Sequence, residues 1–365
     1  MIAVRTAPPR QAPAPETVTR WDRIGRIAAY GAAVTLTPYV VIKASWVIGS
    51  LFGVLPVGTG FNLAGWVLLN TATIGMAVAG IVVALSLVRP WGRRLPGRPL
   101  AFCAWVATGF LVPLLPYAVL TSVFQPRQQA AGQQADPAAM PGWEAALVQT
   151  GFIGMGLGLL LGLPAYLRRR WPAMFTVRLP ATGTGTATGT GNGTATGTGT
   201  APSRRRDLPP AALGIATALA AVVGVFWLSW TAGSRLGVAH PVDADASWRI
   251  LNGVSGLWAV IMAISISRLR RDRPGRLPRW IPAGAAWIGS GTLFAWSGWK
   301  LVITLILLTI RPADVALPEN LAVAAVLHAL AVVAAAISGL ALVRATAAGD
   351  HEAFAADTER DMIAE

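Results

Sequence analysis

Long runs of apolar residues, separated by short polar segments, dominate this chain. The runs follow neither the period of a surface helix nor the alternation of a half-buried strand, and such runs are typical of membrane-spanning helices. Eight of them are long enough to cross about 30 Å of hydrocarbon at about 1.5 Å per residue. They lie near residues 27–52, 64–88, 100–124, 144–167, 210–233, 247–267, 281–310 and 319–343. The pattern predicts an all-α, polytopic membrane helical bundle of about eight transmembrane helices.

The amino-acid composition narrows the class of protein further. Of the 365 residues, 54% are hydrophobic and 13% are charged, whereas about a quarter of the residues of a soluble domain are charged. The 15 tryptophans suit helices that end in the headgroup region, because indole rings favour that interface. These values exclude an ordinary soluble globular protein.

The distribution of arginine predicts the orientation of the spans. Twenty-four arginines fall in the N-terminal tail and in the segments after the second, fourth, sixth and eighth spans. The other four, on the opposite side, are Arg127, Arg235, Arg249 and Arg311. Since positively charged loops stay on the cytoplasmic side, we expect a protein of the cell membrane with both termini in the cytoplasm. The net charge of +14 therefore indicates contact with membrane lipids and not with nucleic acid.

Polar segments divide the chain into five predicted regions. A cytoplasmic tail (1–24) precedes a first four-helix half (25–180), and a second four-helix half (207–345) precedes an acidic cytoplasmic tail (346–365). Residues 181–206, between the halves, contain a low-complexity Thr/Gly-rich tract that we interpret as a flexible, disordered linker. The acidic tail is expected to be solvated, or else to lie across the basic loops.

The two halves are related in sequence. A shift of 182 residues aligns positions 66–111 with positions 248–293, and 15 of these 46 pairs are identical. A shift of 184 residues extends the match to 45–54 and 229–238. The identical pairs include Trp66/Trp248, Asn70/Asn252, Trp105/Trp287, Gly109/Gly291 and Gly53/Gly237. Because each half has four helices, both enter the membrane in the same sense, and we expect a parallel pseudo-twofold axis along the membrane normal.

Small residues in the fourth span indicate a close contact between helices. Gly154, Gly158 and Gly162 recur every four residues, so one face of the helix lets another backbone approach. Tight packing within the chain is the expected role. Self-association, or contact with other membrane proteins, is the alternative.

Charged residues inside the spans are the candidates for a binding site. Lys43 and Lys300 are the only lysines, and each lies about 12–15 Å from the outer end of its span. Each either extends its ammonium group to the outer interface or places it in an outward-facing cavity. Glu144 and Glu319, at the outer starts of the fourth and eighth spans, either pair with the lysines or cap the helix dipoles. The binding residues predicted from the sequence are Lys43, Lys300, Glu144, Glu319, Trp296, Tyr39 and His328.

No motif in the chain identifies a reaction. No Asp or Glu lies near the middle of a span, and the sequence contains no Walker, His-Glu-x-x-His or Gly-x-Ser-x-Gly pattern. The single cysteine, Cys103, is expected to be a buried thiol. We therefore expect no cofactor, no metal and no catalytic residue. The favoured function is binding or transport of an anionic or amphiphilic small molecule or a lipid. The alternatives are a non-catalytic accessory or assembly subunit of a membrane complex, and a membrane enzyme acting on lipid.

Overall fold

The computed structural model describes residues 20–58, 62–124, 142–170, 179, 209–271, 277–310 and 317–364. These ranges contain nine α-helices and no β-strand. The helices are α1 (Arg20–Leu51), α2 (Leu63–Ser86), α3 (Gly97–Leu111), α4 (Leu114–Phe124), α5 (Gly142–Arg170), α6 (Pro210–Thr231), α7 (Ala246–Leu269), α8 (Trp280–Ile310) and α9 (Leu321–Ala364). Eight spans are long and apolar enough to cross a membrane, with α3 and α4 together forming the third. The predicted all-α chain with eight apolar spans is thereby confirmed.

The third span differs from the single helix predicted at 100–124, because a proline interrupts it. α3 and α4 are separated by Val112 and Pro113. Pro113 has no amide hydrogen to donate to the carbonyl four residues earlier, and its ring clashes with that turn. The helix resumes through a hydrogen bond that spans three residues instead of four. In it, the Leu115 amide donates to the Val112 carbonyl at 3.1 Å.

The glycine stripe of α5 packs against α1. A Cβ atom at Gly158 would lie 2.3 Å from the Cβ atom of Ala32, and one at Gly154 would lie 2.3 Å from Oγ1 of Thr35. Any larger side chain at these positions would push the two helices apart, so glycine permits the close approach. The stripe therefore serves packing within the chain.

The second half uses a different pair of helices for its close approach. A Cβ atom at Gly256 on α7 would lie 2.9 Å from the carbonyl oxygen of Gly224 on α6. In the first half the corresponding close contact joins the first and fourth spans, whereas here it joins the first and second. The closest helix contacts of the two halves therefore involve different pairs of spans.

α3 and α8 join the two halves. A Cβ atom at Gly109 would lie 2.1 Å from the carbonyl carbon of Gly291, so the two backbones are in direct contact. The Trp105 indole donates its Nε1 hydrogen to the Trp287 carbonyl at 3.2 Å and to Oγ of Ser290 at 3.1 Å. One hydrophobic core of α1, α2, α3 and α5 and a second of α6, α7, α8 and α9 lie on either side of this contact.

Several boundaries differ from those predicted. α1 begins at Arg20 rather than near residue 27, and α9 continues to Ala364 rather than ending near residue 343. The backbone of the acidic tail is thus helical as far as Ala364, in keeping with its many alanines, which have the highest helix propensity. Cys103 is exposed, so the expectation of a buried thiol was wrong. The Thr/Gly-rich tract at 181–206 lies outside the described residues.

Candidate functional site

The first of two polar clusters lies at the end of the bundle opposite most of the arginines. It consists of Lys43 and Trp46 on α1, Trp66 and Asn70 on α2, and Glu144 on α5. The Lys43 ammonium donates to Oδ1 of Asn70 at 2.8 Å and lies 4.1 Å from the centroid of the Trp46 ring. Asn70 in turn donates from Nδ2 to the Trp66 carbonyl at 2.8 Å. An amide oxygen and an indole face therefore hold the ammonium group between α1 and α2.

Trp46 connects this ammonium group to a carboxylate. Its Nε1 donates to Oε2 of Glu144 at 3.2 Å, and its ring stacks on that of Trp66 with centroids 5.9 Å apart. The Trp66 indole donates to Oγ of Ser50 at 3.0 Å. Glu144 lies in the first turn of α5, where the helix dipole also stabilises a negative charge. The charged groups of the first polar cluster thus have partners within it.

The second polar cluster lies at the same end of the second half. Its members are Trp230 on α6, Trp248 and Asn252 on α7, Lys300 on α8, Glu319 before α9, and His328 on α9. Trp248 donates from Nε1 to Oε2 of Glu319 at 2.5 Å, and Asn252 donates from Nδ2 to the Trp248 carbonyl at 2.9 Å. Asn70 and Asn252, which the duplication aligns, therefore make the same bond to the tryptophan four residues earlier.

Glu319 precedes α9 instead of beginning it, as the sequence had suggested. The helix is capped by Asn320, whose Oδ1 accepts from the Ala322 amide at 3.0 Å and from the Val323 amide at 3.3 Å. Glu319 forms an isolated bridge with Val238 in the loop between α6 and α7. Its carboxylate is therefore available to Trp248, and it lies within electrostatic reach of Lys300.

His328 is the buried titratable group of the second polar cluster. Its side chain is 5% exposed, and its ring centroid lies 5.5 Å from that of Trp227. Lys300 lies within electrostatic reach of the imidazole. Among the described residues, Nδ1 of His328 has no hydrogen-bond partner. A buried polar atom left unpaired costs about 1–3 kcal/mol, so this nitrogen has hydrogen-bonding capacity that the described chain does not use.

The other two predicted binding residues lie elsewhere. Tyr39 is buried against Phe152, with ring centroids 5.1 Å apart, and its ring lies 5.9 Å from the Lys43 ammonium. Trp296 donates from Nε1 to the Phe110 carbonyl at 3.1 Å, between α8 and α3. Five of the seven residues predicted from the sequence therefore belong to the two clusters, with the two lysines in different ones. Tyr39 lies beside the first cluster, and Trp296 lies at the contact between α3 and α8.

An apolar cavity of about 510 Å³, here called the interhalf groove, lies between the two halves. Its lining contains no residue of either polar cluster. The walls come from α3, α5, α7 and α8, and include Thr108, Leu159, Leu163, Trp258, Gly284 and Trp287. The hydroxyl of Thr108 is already bonded to the Ala104 carbonyl at 2.5 Å. The groove therefore presents hydrocarbon and indole surface to whatever occupies it.

The interhalf groove extends through about one leaflet of a membrane. Its shallow end is lined by Trp280, the first residue of α8, and by Leu167, near the end of α5. Its deep end is lined by Thr108, eleven residues after the start of α3, and by Trp258, eleven residues before the end of α7. Eleven residues of helix rise about 16 Å, which is about half of a hydrocarbon core of about 30 Å.

Trp105 and Trp287, which the duplication aligns, differ in their hydrogen bonds. The Trp105 indole has two acceptors on α8, the Trp287 carbonyl and Oγ of Ser290. The Trp287 indole lines the interhalf groove, and its Nε1 is buried without a partner among the described residues. Of these two aligned indoles, only that of Trp105 therefore donates a hydrogen bond across the contact between α3 and α8.

Sequence reasoning missed the interhalf groove because its lining resembles any lipid-facing surface. Leucine, isoleucine and tryptophan occur on every span, so their presence marks no site. One usable signal was Gly284, a small residue on α8 at which an added Cβ atom would have no neighbour within 4 Å. A second was the small size of Gly109 and Gly291, which permits a close approach of α3 and α8.

In the part of the chain that the structure describes, no three His, Cys, Asp or Glu side chains lie close enough together to hold a metal ion. None of the described residues that line the interhalf groove carries a titratable side chain. The chain matches no protein-family model, no curated protein and no solved structure.

Proposed function

We propose that this protein binds an amphiphilic molecule whose apolar part occupies the interhalf groove. The observation that carries this proposal is the groove itself, a partly open apolar cavity of about 510 Å³. Ligand sites in proteins commonly have volumes of about 300–1,000 Å³. Hydrocarbon walls offer water few hydrogen bonds, so a lipid chain or an apolar ligand is the natural occupant. Because the groove reaches only to about mid-membrane, its geometry supports binding more than passage across the membrane.

The proposal includes two tandem four-helix repeats around a pseudo-twofold axis along the membrane normal. Contact between Gly109 and Gly291 supports it, because aligned residues of two repeats touch each other only near such an axis. Gly53 and Gly237 also support it, since both have left-handed backbones, with φ of 70° and 74°. Four helices in each repeat give both the same direction through the membrane.

The proposed orientation follows from the arginine bias. The protein lies in the cell membrane, with both termini and the arginine-rich loops in the cytoplasm. The shallow end of the interhalf groove then faces the cytoplasmic leaflet, because α5 ends and α8 begins on that side. The two polar clusters then lie toward the outer surface.

The polar clusters have a different role in this proposal. In the first cluster Lys43 and Glu144 have partners on neighbouring helices, which supports a structural role in holding α1, α2 and α5 together. The second cluster, with Lys300, Glu319 and the unpaired Nδ1 of His328, is the better candidate for a polar ligand. Tyr39 and Trp296 contribute packing around them.

A photoreactive lipid tests the proposed function. The full-length protein is placed in nanodiscs with a phospholipid that carries a diazirine near the end of one acyl chain, and cross-linked peptides are mapped by mass spectrometry. We expect cross-links concentrated on groove-lining residues such as Leu160, Leu163 and Ile261. Gly284→Phe should remove them, because the new ring fills open space inside the groove.

Gly75→Phe is the matched control for this experiment. Gly75 also has open space around its Cβ position, but it lies on the exposed face of α2 and outside the groove. This variant should therefore leave the cross-links unchanged. Cross-links spread evenly over all exposed helical faces, or kept in Gly284→Phe, would show that the interhalf groove is not a binding site.

A role as an accessory or assembly subunit is the second candidate, and the length of α9 favours it. This helix continues for 18 residues beyond Thr346, past the apolar span, and so provides a surface outside the membrane. A chain that stops after residue 346 should keep the groove cross-links if binding is the function. Loss of a co-purifying membrane protein from this truncated chain, with cross-linking intact, would assign the extension to assembly.

A further inference from the structure

The position of the interhalf groove points to the class of its ligand. We propose that it binds an anionic glycerophospholipid from the arginine-rich side, with one acyl chain in the groove and the phosphate beside Arg168 and Arg279. This inference rests on the proposed function and adds to it the chemistry of the headgroup and the leaflet from which the ligand comes.

The apolar walls alone cannot select a ligand. A lipid tail is already surrounded by hydrocarbon in the membrane, so entering the groove gives it no hydrophobic gain. Dispersion contacts with the walls hold whichever chain fits, and they do not distinguish one phospholipid from another. Selectivity must therefore come from the end of the groove at which a headgroup lies.

Two arginines lie at that end. Arg168 directly follows Leu167, and Arg279 directly precedes Trp280, and both of these neighbours line the groove. Arg168 is exposed and Arg279 is half-buried. The planar guanidinium groups of arginine bind phosphate oxygens in pairs, and their positive charge favours a headgroup with a net negative charge over a zwitterionic one. No acidic residue adjoins either arginine in sequence.

The depth of the groove matches a lipid anchored at these arginines. Trp280, which is 53% exposed, lies at the start of α8, at the level where indole rings favour the headgroup interface. From there the groove extends about 16 Å, or about one leaflet, to Thr108 and Trp258. A phosphate at the arginines thus places the end of its acyl chain near mid-membrane. A lipid of the other leaflet would have its headgroup at the polar clusters, which do not line the groove.

The volume indicates one acyl chain instead of two. A cavity of about 510 Å³ is comparable to a single long lipid tail. The groove is open on one side, so the second tail of the same lipid can remain in the surrounding bilayer. The ligand is therefore a two-chain phospholipid held by one tail and its phosphate.

A competition between two headgroups tests this inference. The full-length protein is equilibrated with equal amounts of phosphatidylglycerol and phosphatidylcholine of identical acyl chains, and retained lipid is counted by native mass spectrometry. The groove-bound fraction is the part that Gly284→Phe removes. Each arginine beside an anionic headgroup contributes about fivefold to affinity, so the two together should favour phosphatidylglycerol by about 25-fold.

Charge variants at the two ends of the bundle supply the controls. Arg168→Gln with Arg279→Gln should abolish the preference, and Arg168→Lys with Arg279→Lys should keep most of it, because the charge remains. Arg235→Gln with Arg249→Gln removes the same charge at the opposite end and should leave the preference unchanged.

The outcomes separate this inference from the proposed function. A preference that survives loss of Arg168 and Arg279, or falls equally with Arg235 and Arg249, would overturn the anionic-headgroup assignment. Equal retention of both lipids, each lost in Gly284→Phe, would also overturn it while leaving groove binding in place. If Gly284→Phe removed neither lipid, the proposed function would fail as well.

Discussion

The polar clusters and the interhalf groove lie at opposite ends of one bundle. The first polar cluster has charged groups with partners, whereas the groove has open space. In the first polar cluster the Lys43 ammonium has Asn70 and Trp46 as partners, and the Glu144 carboxylate has Trp46. The interhalf groove has space but almost no polar atoms. Unpaired charges are costly within a membrane, so chains tend to pair them internally. The residues most conspicuous in the sequence are therefore not the ones that surround open space.

The two polar clusters also differ from each other. Extended by two residues, the shift of 184 places Trp227 opposite Lys43, so the first span of the second half carries no lysine at this position. The second cluster receives its lysine from α8, as Lys300. Tryptophan, asparagine and glutamate recur in both clusters, whereas the cation enters from different helices. The lysines are thus the variable part of the two clusters.

The largest expected effect comes from comparing two glycines on the helices that join the halves. Gly109 contacts the opposite backbone, whereas Gly284 has open space beside it. Gly109→Leu forces a Cβ atom to within 2.1 Å of the Gly291 backbone, which cannot move aside as a side chain can. We expect this variant to lose about 3 kcal/mol of unfolding free energy, or to fail to fold. Gly284→Leu enters open space and should change the stability by less than about 0.5 kcal/mol. Thermal unfolding in detergent measures both, and similar losses would mean that the groove is not open.

The next prediction tests whether the first polar cluster is structural. Lys43→Met leaves Oδ1 of the buried Asn70 without its donor and should cost about 1 kcal/mol of unfolding free energy. Asn70→Leu removes the acceptor as well, and the double-mutant cycle should show a coupling of about 0.6–1.7 kcal/mol. A neutral or stabilising Lys43→Met, with no coupling, would indicate a lysine that extends to the interface.

A smaller difference is expected between the two aligned tryptophans. Trp105→Phe removes an indole that donates to the Trp287 carbonyl and to Ser290, whereas Trp287→Phe removes an indole whose Nε1 has no partner among the described residues. The two side chains are similarly buried, at 7% and 6% exposed, so their hydrogen bonds are the clearest difference between them. Trp105→Phe should be less stable by about 1 kcal/mol. Equal stabilities in reversible unfolding would argue against this difference between the two indoles.

The smallest effect concerns His328. Replacement by leucine removes a buried nitrogen that has no partner in the described structure and keeps an apolar side chain against Trp227. His328→Leu should therefore leave the stability unchanged or raise it by up to about 1 kcal/mol. A clear loss of stability in the ligand-free protein would reveal a partner for the imidazole, and a proton or ligand site in the second polar cluster would become the better account.

The spans could be predicted from the sequence because length and hydropathy are local properties. The glycine stripe of α5 could also be predicted, since small residues at a fixed spacing mark a close helix contact. Its partner, α1, could not be inferred, because nothing in the stripe names the helix opposite. The helix α9 is capped by Asn320 and not by Glu319, because of the path of the loop before it, which hydropathy does not encode.

The candidate site was less accessible to sequence reasoning. Lys43 and Lys300 were identified as charges within spans, but their partners, Asn70 on one helix and Glu319 before another, depend on tertiary packing. The interhalf groove arises where four helices from both halves fail to fill the space between them. No single residue type marks such a gap.

Lipid retention in three forms of the protein tests the central claim most directly. Native mass spectrometry of the full-length chain, after removal of loosely bound lipid, should detect one retained phospholipid in the wild type. Lys43→Met should retain it too, because the first polar cluster lies outside the groove, whereas Gly284→Phe should lose it. Retention in Gly284→Phe together with loss in Lys43→Met would contradict the account and return the binding site to the lysines.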